Sequence, residues 1–455
     1  MDNIKNTKVL IIGAGLAGSD AAYFLASQGI EVFLLEGKTK TPTPAQTLKT
    51  AAELVCTNSL KSFRPNSAHG LLKSEMEKFG SLVLEMAYKS KVPAGDALSV
   101  DRNKFSELVH KSLNEHPLIN FIEDNVSDPQ TKAKELHCDH IIIATGPLTT
   151  EGLEKWIIEN ISKDDFYFYD AIAPIVDADS LDLSKMYFKD RYKEPELGEA
   201  DYLNVPLNKQ EYIDLVNDLK TAEIVQPKNF EKPNFFEACL PVDIMAKRGE
   251  ETLRFSCMKP VGLEMPDGKR PYAVIQLRRE NLQGDAYNMV GFQNRLTYKE
   301  QLRVFRKLPG FENASFNHLG SVHRNSFLNS KNLLNFDLSS KEYPHIYFAG
   351  QITGVEGYTE SASMGLYVGY QILRKINGLT PKEFPKDTAI GALINYIMTA
   401  TQPRPSNINF GLLPKVDITK KKLKRSERKT LKKDLASQRA LESMDKFLSE
   451  NSLRG

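Results

Sequence analysis

No stretch of this chain approaches the ~18–20 consecutive apolar residues that a membrane-crossing helix needs. Met1 to Thr7 are polar and Val9 already reads as strand, which leaves no room for a cleaved leader. The expectation is a cytoplasmic protein without a membrane partner. Cysteine is scarce: there are four, Cys56, Cys138, Cys239 and Cys257, and none forms a C-x-x-C pair. That spacing excludes a zinc ribbon and a disulfide scaffold, so reduced thiols and no bound metal are expected. His137-Cys138-Asp139-His140 sets metal-type side chains side by side, but neighbours in an extended chain point to opposite faces. It reads as the approach to a strand. An excess of one charge is missing as well, with a formal net charge of only +2. No field spans the whole molecule, and no DNA partner is expected.

The exception is local. Lys420, Lys421, Lys422, Lys424, Arg425, Arg428, Lys429, Lys432 and Lys433 crowd one segment, with Glu427 the single acid among them. Such a run is either a solvated helix face or a sequence-independent contact to RNA phosphates, with Lys424 and Arg425 as candidates.

What is present in strength is a nucleotide fingerprint. Lys8 to Ile12 is an apolar run, followed by Gly13-Ala14-Gly15-Leu16-Ala17-Gly18, a helix-like segment, and a second apolar run ending at Glu36. Gly13 permits the tight turn out of the strand. Gly15 lets backbone approach a pyrophosphate, and Gly18 permits close packing of helix on strand. The helix N-terminus offers N–H groups to phosphate, and Glu36, about 20 residues on, is spaced to accept from ribose hydroxyls.

The same strand-to-glycine ending recurs. His140 to Ile143 runs into Ala144-Thr145-Gly146, and His345 to Phe348 runs into Ala349-Gly350-Gln351. The latter leads through Gly354, Glu356, Gly357 and Tyr358 to an apolar helix, Ala362 to Ile376. Three such endings so far apart imply one parallel sheet with a large insertion. The fold class is therefore α/β: an FAD-binding Rossmann-like domain carrying an inserted mixed α+β domain. We place the first part of the FAD domain at 1–150, the inserted substrate or RNA domain at 151–335, and the second part with the basic C-terminal helix at 336–455. The insertion is richer in aromatics and short alternating runs such as Tyr272 to Arg278, as an antiparallel sheet requires. FAD is favoured over NAD alone because the late strand and helix supply a second element for the flavin end.

Many further stretches carry a more specific likeness: Ala52–Leu60, Val92–Gly95, Asp170–Pro174, Phe236–Pro241, Met258–Leu263, Asn288–Gln293, His323–Asn325 and Asn409–Pro414. In these, in order along roughly residues 8–440, the chain resembles the TrmFO (Gid) family of folate- and FAD-dependent RNA (uracil-5-)-methyltransferases. The larger GidA flavoproteins share the Gly350–Gly354 turn but carry a C-terminal helical extension that is missing here. One departure is that Ser256-Cys257 stands where the family usually has Gly-Pro, which frees a backbone N–H and adds a thiol.

The resemblance implies transfer of a one-carbon unit from 5,10-methylenetetrahydrofolate to carbon 5 of a uridine in structured RNA, giving 5-methyluridine. Reduced FAD supplies the hydride, and NADH or NADPH is the reductant. The family default is the T-loop uridine of tRNA at position 54; a ribosomal RNA uridine is the nearest alternative. A flavin oxidoreductase acting on a small metabolite is a further one. Carbon 5 of uracil becomes nucleophilic only after a thiolate adds at carbon 6, so a reactive cysteine is needed. Cys239, with Lys247, Arg248 and Arg254 near it in sequence, is the candidate nucleophile, and Cys56 the candidate partner; the two roles are exchangeable. Cys138 reads as structural. Tyr358 is placed to stack on flavin or folate, Lys259 and Arg278 to meet folate's glutamate or RNA phosphate, and His323-Arg324-Asn325 to orient flavin or substrate.

Overall fold

The computed structural model describes residues 7–41, 46–147, 149–162, 167–171, 173–191, 200–225, 240–280, 284–320, 322–400, 405–417 and 425–451. Its centre is a five-stranded parallel sheet in the order Ile346–Phe348, His140–Ile143, Lys8–Ile12, Glu31–Glu36, Ile119–Glu123. Val9 pairs with His140 and Ile12 with both Ile143 and Leu35, so the first strand lies in the middle with later strands added on either side. That reversal of strand order opens a crevice beyond the carboxyl ends of the first and fourth strands, where ligands of such sheets bind. The strands are apolar on both faces: Val9, Leu10, Ile11, Ile141, Ile142 and Ile143 are all buried, as helices on both sides require.

The helix Leu16–Ser27 packs directly against Tyr358–Ile376, and small residues make the crossing. A Cβ on Gly365 would stand 2.0 Å from the Ala17 carbonyl oxygen, so only glycine allows that approach. The late helix begins at Tyr358, a turn earlier than its apolar run suggests, because the first turn buries the polar Thr359 and Glu360. The late strand is likewise only Ile346–Phe348, ending before Ala349 and Gly350.

The inserted sheet has six antiparallel strands in the order Tyr187–Phe188, Tyr202–Leu207, Ala273–Arg279, Ala286–Met289, Ile175–Asp177, Phe316–His318. Two separate cores result. One joins the parallel sheet to Leu153, Ile157, Leu328, Ile390 and the C-terminal Ala440, Met444 and Phe447. The other gathers Leu203, Ile275, Tyr212, Phe292 and Phe305. Of the basic segment, the part from Arg425 on belongs to a helix, Arg425–Glu450, whose later turns dock on the first core, while Lys420, Lys421, Lys422 and Lys424 lie outside the described residues. Among the described residues no helix is long and apolar enough to cross a membrane, and no group of metal-ligating side chains forms.

Candidate active site

The crevice is a cleft of about 1130 Å³, counting its open mouth, lined by Gly13, Ala14, Gly15, Leu16, Ala17, Glu36, Ala144, Thr145, Gly146, Gly350, Gln351 and Tyr358. Gly13 has φ +101°, and a Cβ there would lie 2.7 Å from the Ala144 carbonyl oxygen. A Cβ on Gly18 would fall 1.9 Å from the Gly13 carbonyl oxygen. These two absences of side chain let the turn, the helix and the neighbouring strand close on one another. Glu36 accepts from the Ala14 N–H at 2.9 Å through Oε2 and from the Lys38 N–H at 3.0 Å through Oε1. A carboxylate has lone pairs beyond these two, so the turn orients Glu36 without filling it.

Gly15 caps the first helix and Gly357 the late one, and neither N-terminus has a side-chain cap. The helix Ala389–Thr399 is by contrast capped by side chains. Thr388 Oγ1 accepts from Gly391, and Glu75 accepts from Ala389 and Ile390 at the same terminus. Uncapped N–H groups at the cleft suit an anionic ligand. A cradle that a Cβ would fill, an oriented acid and an uncapped helix end together fit a dinucleotide.

Cys56 lies at the edge of this cleft, next to the lining residue Val55. Its loop is fixed from three directions. The Tyr358 hydroxyl accepts from the N–H groups of Cys56 at 2.8 Å and Thr57 at 3.0 Å. Arg102 donates to the carbonyls of Leu54 at 2.7 Å and Cys56 at 3.3 Å. Arg278, from the inserted sheet, donates to Asn58 Oδ1 at 2.9 Å and to Thr57 Oγ1. Asn58 in turn donates to the carbonyls of Val100, Arg279 and Glu280. Burial pushes the Tyr358 phenol far up, so its ring stays neutral.

Beside the late turn sits a charged cluster. Glu360, fully buried, lies 3.7 Å from Lys61 Nζ and 3.3 Å from His69 Nδ1, and it accepts from the Ile408 N–H at 3.1 Å. Burial raises its carboxyl, but Lys61 and His69 outweigh that and hold it at about 2. Gly357, φ +117°, leaves room for this arrangement, since a Cβ there would lie 2.3 Å from Glu360 Oε2. Gln351 Nε2 donates to Glu356 Oε2 at 2.7 Å, closing the turn around Gly354.

Cys239, Lys424 and the stretch from Phe236 lie outside the described residues; of Arg425 and His323–Asn325 only the backbone is described. Cys138 approaches its strand as expected, with its thiol pushed up to about 12 by burial. Cys257, at the departure from the family pattern, packs against Gly291 and the second core, and burial pushes its thiol up to about 11. Lys259 is exposed, whereas Arg278 is only 6% exposed and tied to the Cys56 loop. Arg102, Glu280, Lys61 and His69 escaped sequence reasoning. Arg102 and Glu280 meet across 178 positions of chain, and no spacing rule pairs such residues.

A profile of the family described as glucose inhibited division protein A matches residues 8–380. A methylenetetrahydrofolate–tRNA-(uracil-5-)-methyltransferase TrmFO of Aquifex aeolicus is 47% identical over 449 residues, 98% of this chain and 97% of its own length. The chain belongs to the TrmFO family. A TrmFO of Streptococcus pneumoniae, carrying the same description, is 45% identical over 96% of this chain and 98% of its own. The fold of this TrmFO-family chain is also that of Aquifex aeolicus GidA in the form II crystal. That structure superposes with a TM-score of 0.67 at 15% identity, over 97% of this chain and 74% of GidA.

Proposed function

We propose that this chain is an enzyme that transfers a one-carbon unit from 5,10-methylenetetrahydrofolate to carbon 5 of a tRNA uridine, in the cytoplasm, with FAD in the cleft. The relatives' activity supports the folate donor and the tRNA acceptor. The observation that carries the reading is the contact between Tyr358, a lining residue of the nucleotide cleft, and the backbone of Cys56. One residue thus belongs both to the flavin end and to the loop of a thiol.

FAD would be held by Gly13, Gly15 and Gly18 at the pyrophosphate, Glu36 at the ribose, and the Gly350–Tyr358 turn at the ring; reduced, it supplies the hydride that completes the methyl group. NADH or NADPH is its reductant. Cys239 adds as thiolate to carbon 6 of the uracil, which makes carbon 5 nucleophilic, and Cys56 assists removal of the carbon-5 proton. Cys239 directly precedes Leu240 and Pro241, which lead into the helix Val242–Arg248 with Lys247 and Arg248 in its last turn. Lys259, exposed beside Phe255 at 73% exposure, and the basic start of the C-terminal helix around Lys424 and Arg425 contact RNA phosphates. The target is the T-loop uridine at position 54.

The test is incubation of the flavin-loaded protein with NADH or NADPH, labelled methylenetetrahydrofolate, and tRNA or ribosomal RNA in parallel. Label in 5-methyluridine of tRNA is expected. Label in ribosomal RNA alone would replace the target, and flavin turnover with no labelled RNA would replace the activity with a metabolite oxidoreductase.

A further inference from the structure

The Cys56 loop holds a guanidinium whose counter-ion comes from the inserted domain. Arg102 opens the helix Arg102–Glu115, and its Nε donates to Glu280 Oε2 at 2.7 Å while its two other nitrogens hold the carbonyls of Leu54 and Cys56. The Arg102 side chain is 18% exposed and that of Glu280 7%, so a cation and an anion are both largely withdrawn from water beside the Cys56 backbone. Burial pulls the guanidinium down, but the Glu280 carboxylate, largest of the opposing causes, helps to outweigh it and the net displacement is upward. Arg102 thus bears its charge at hydrogen-bond distance from the Cys56 carbonyl.

Other described groups also face the loop. Tyr358 is kept neutral by burial, and Arg278 is bound to Thr57 and Asn58. His318, on the inserted sheet, is held below the ordinary imidazole value first by burial and then by Arg102. Among the described residues, the charged pair that reaches the Cys56 backbone is Arg102–Glu280.

We propose that the Arg102–Glu280 pair sets the reactivity of Cys56. Arg102 favours the thiolate, and Glu280 restrains that effect and ties it to the seating of the inserted domain. The inference rests on the reading of Cys56 as a working thiol. A nearby cation lowers a thiol's pKa, and an added anion opposes it. Removing the two charges therefore moves Cys56 in opposite directions. A purely structural pair behaves otherwise, because either change breaks the same bond and loosens the same loop.

The experiment is iodoacetamide alkylation of the flavin-loaded protein across neutral and alkaline pH, without RNA or folate. Cys56 and Cys138 peptides are quantified by mass spectrometry, the half-buried Cys138 being the reference for unfolding. At pH ~7, Glu280→Gln is expected to speed Cys56 alkylation about threefold, and Arg102→Gln to slow it about tenfold, a change near one pKa unit. Arg102→Lys, which keeps the charge, stays within about threefold of the parent. Shifts of the same sign in Glu280→Gln and Arg102→Gln, or no shift of Cys56 relative to Cys138, would overturn the proposal. Should Arg102→Gln lose its flavin and expose Cys138, Glu280→Gln decides alone: a slower or unchanged Cys56 sinks the idea. That result would leave the methyl-transfer reading standing, because the latter is judged on labelled RNA.

Discussion

The hydroxyl of Tyr358 accepts the backbone N–H of Cys56 at 2.8 Å, across 302 positions of chain. A ring that lines the nucleotide cleft is thereby the anchor of the thiol loop. Replacing it by phenylalanine keeps the ring and removes the acceptor of two N–H groups. Tyr358→Phe is expected to cost about 1–3 kcal/mol in chemical denaturation. It should also broaden the pH profile of Cys56 alkylation while flavin content holds.

The cradle makes a sharper demand. Gly18→Ala puts a carbon 1.9 Å from the Gly13 carbonyl oxygen, which the turn cannot absorb. Purified Gly18→Ala protein is expected to lack the flavin absorbance band. Glu36→Ala removes an oriented acceptor without a clash, and its expected cost is about tenfold to a hundredfold in flavin affinity, as for a charged hydrogen bond. Equal flavin content in parent and Gly18→Ala would refute the steric argument.

Arg278 and Lys259 separate by salt. Lys259 is exposed, and Lys259→Ala is expected to lower the slope of log K for RNA against log salt by about 0.7–0.9, one phosphate contact. Arg278 is buried against Thr57 and Asn58. Arg278→Lys should leave that slope unchanged and lower the melting temperature instead, since lysine cannot reproduce the two-pronged grip. A reduced slope in Arg278→Lys would make it an RNA contact.

Glu75 gives the fold a pH signature. Burial raises its carboxyl from 4.5 to about 8, only partly offset by the N–H groups of Ala389 and Ile390. Between those values the native state holds a proton that the unfolded chain has lost, so this contribution to stability falls as pH rises from 4.5 to about 8. Asp20, raised from 3.8 to about 7 by burial, acts in the same sense over its own window. Glu75→Gln cannot lose a proton and is expected to flatten the decline of melting temperature over that range. An unchanged decline in Glu75→Gln would assign it to other groups.

Much of this was legible beforehand. The parallel sheet and its glycine turns are local patterns: an apolar run, a glycine spacing and an acid at fixed distance each have a geometric cause within one βαβ unit. Gly350 and Tyr358 were readable because the late strand repeats the same ending. Arg278 was legible only as a charge, and its burial depends on Asn58 arriving from another domain. The helix at Tyr358 starts a turn before its apolar run because polar residues, Thr359 and Glu360, continue it. The Lys61–Glu360–His69 cluster is likewise made by tertiary contacts that no periodicity encodes.

The most direct measurement is the yield of labelled 5-methyluridine in tRNA from flavin-loaded parent, Cys56→Ala, Cys239→Ala and Cys138→Ala proteins. Labelled methylenetetrahydrofolate is the donor, and the product is read by mass spectrometry of digested RNA. The account expects full yield from the parent and Cys138→Ala, and none above background from Cys56→Ala or Cys239→Ala. Undiminished yield from both of those variants would contradict it.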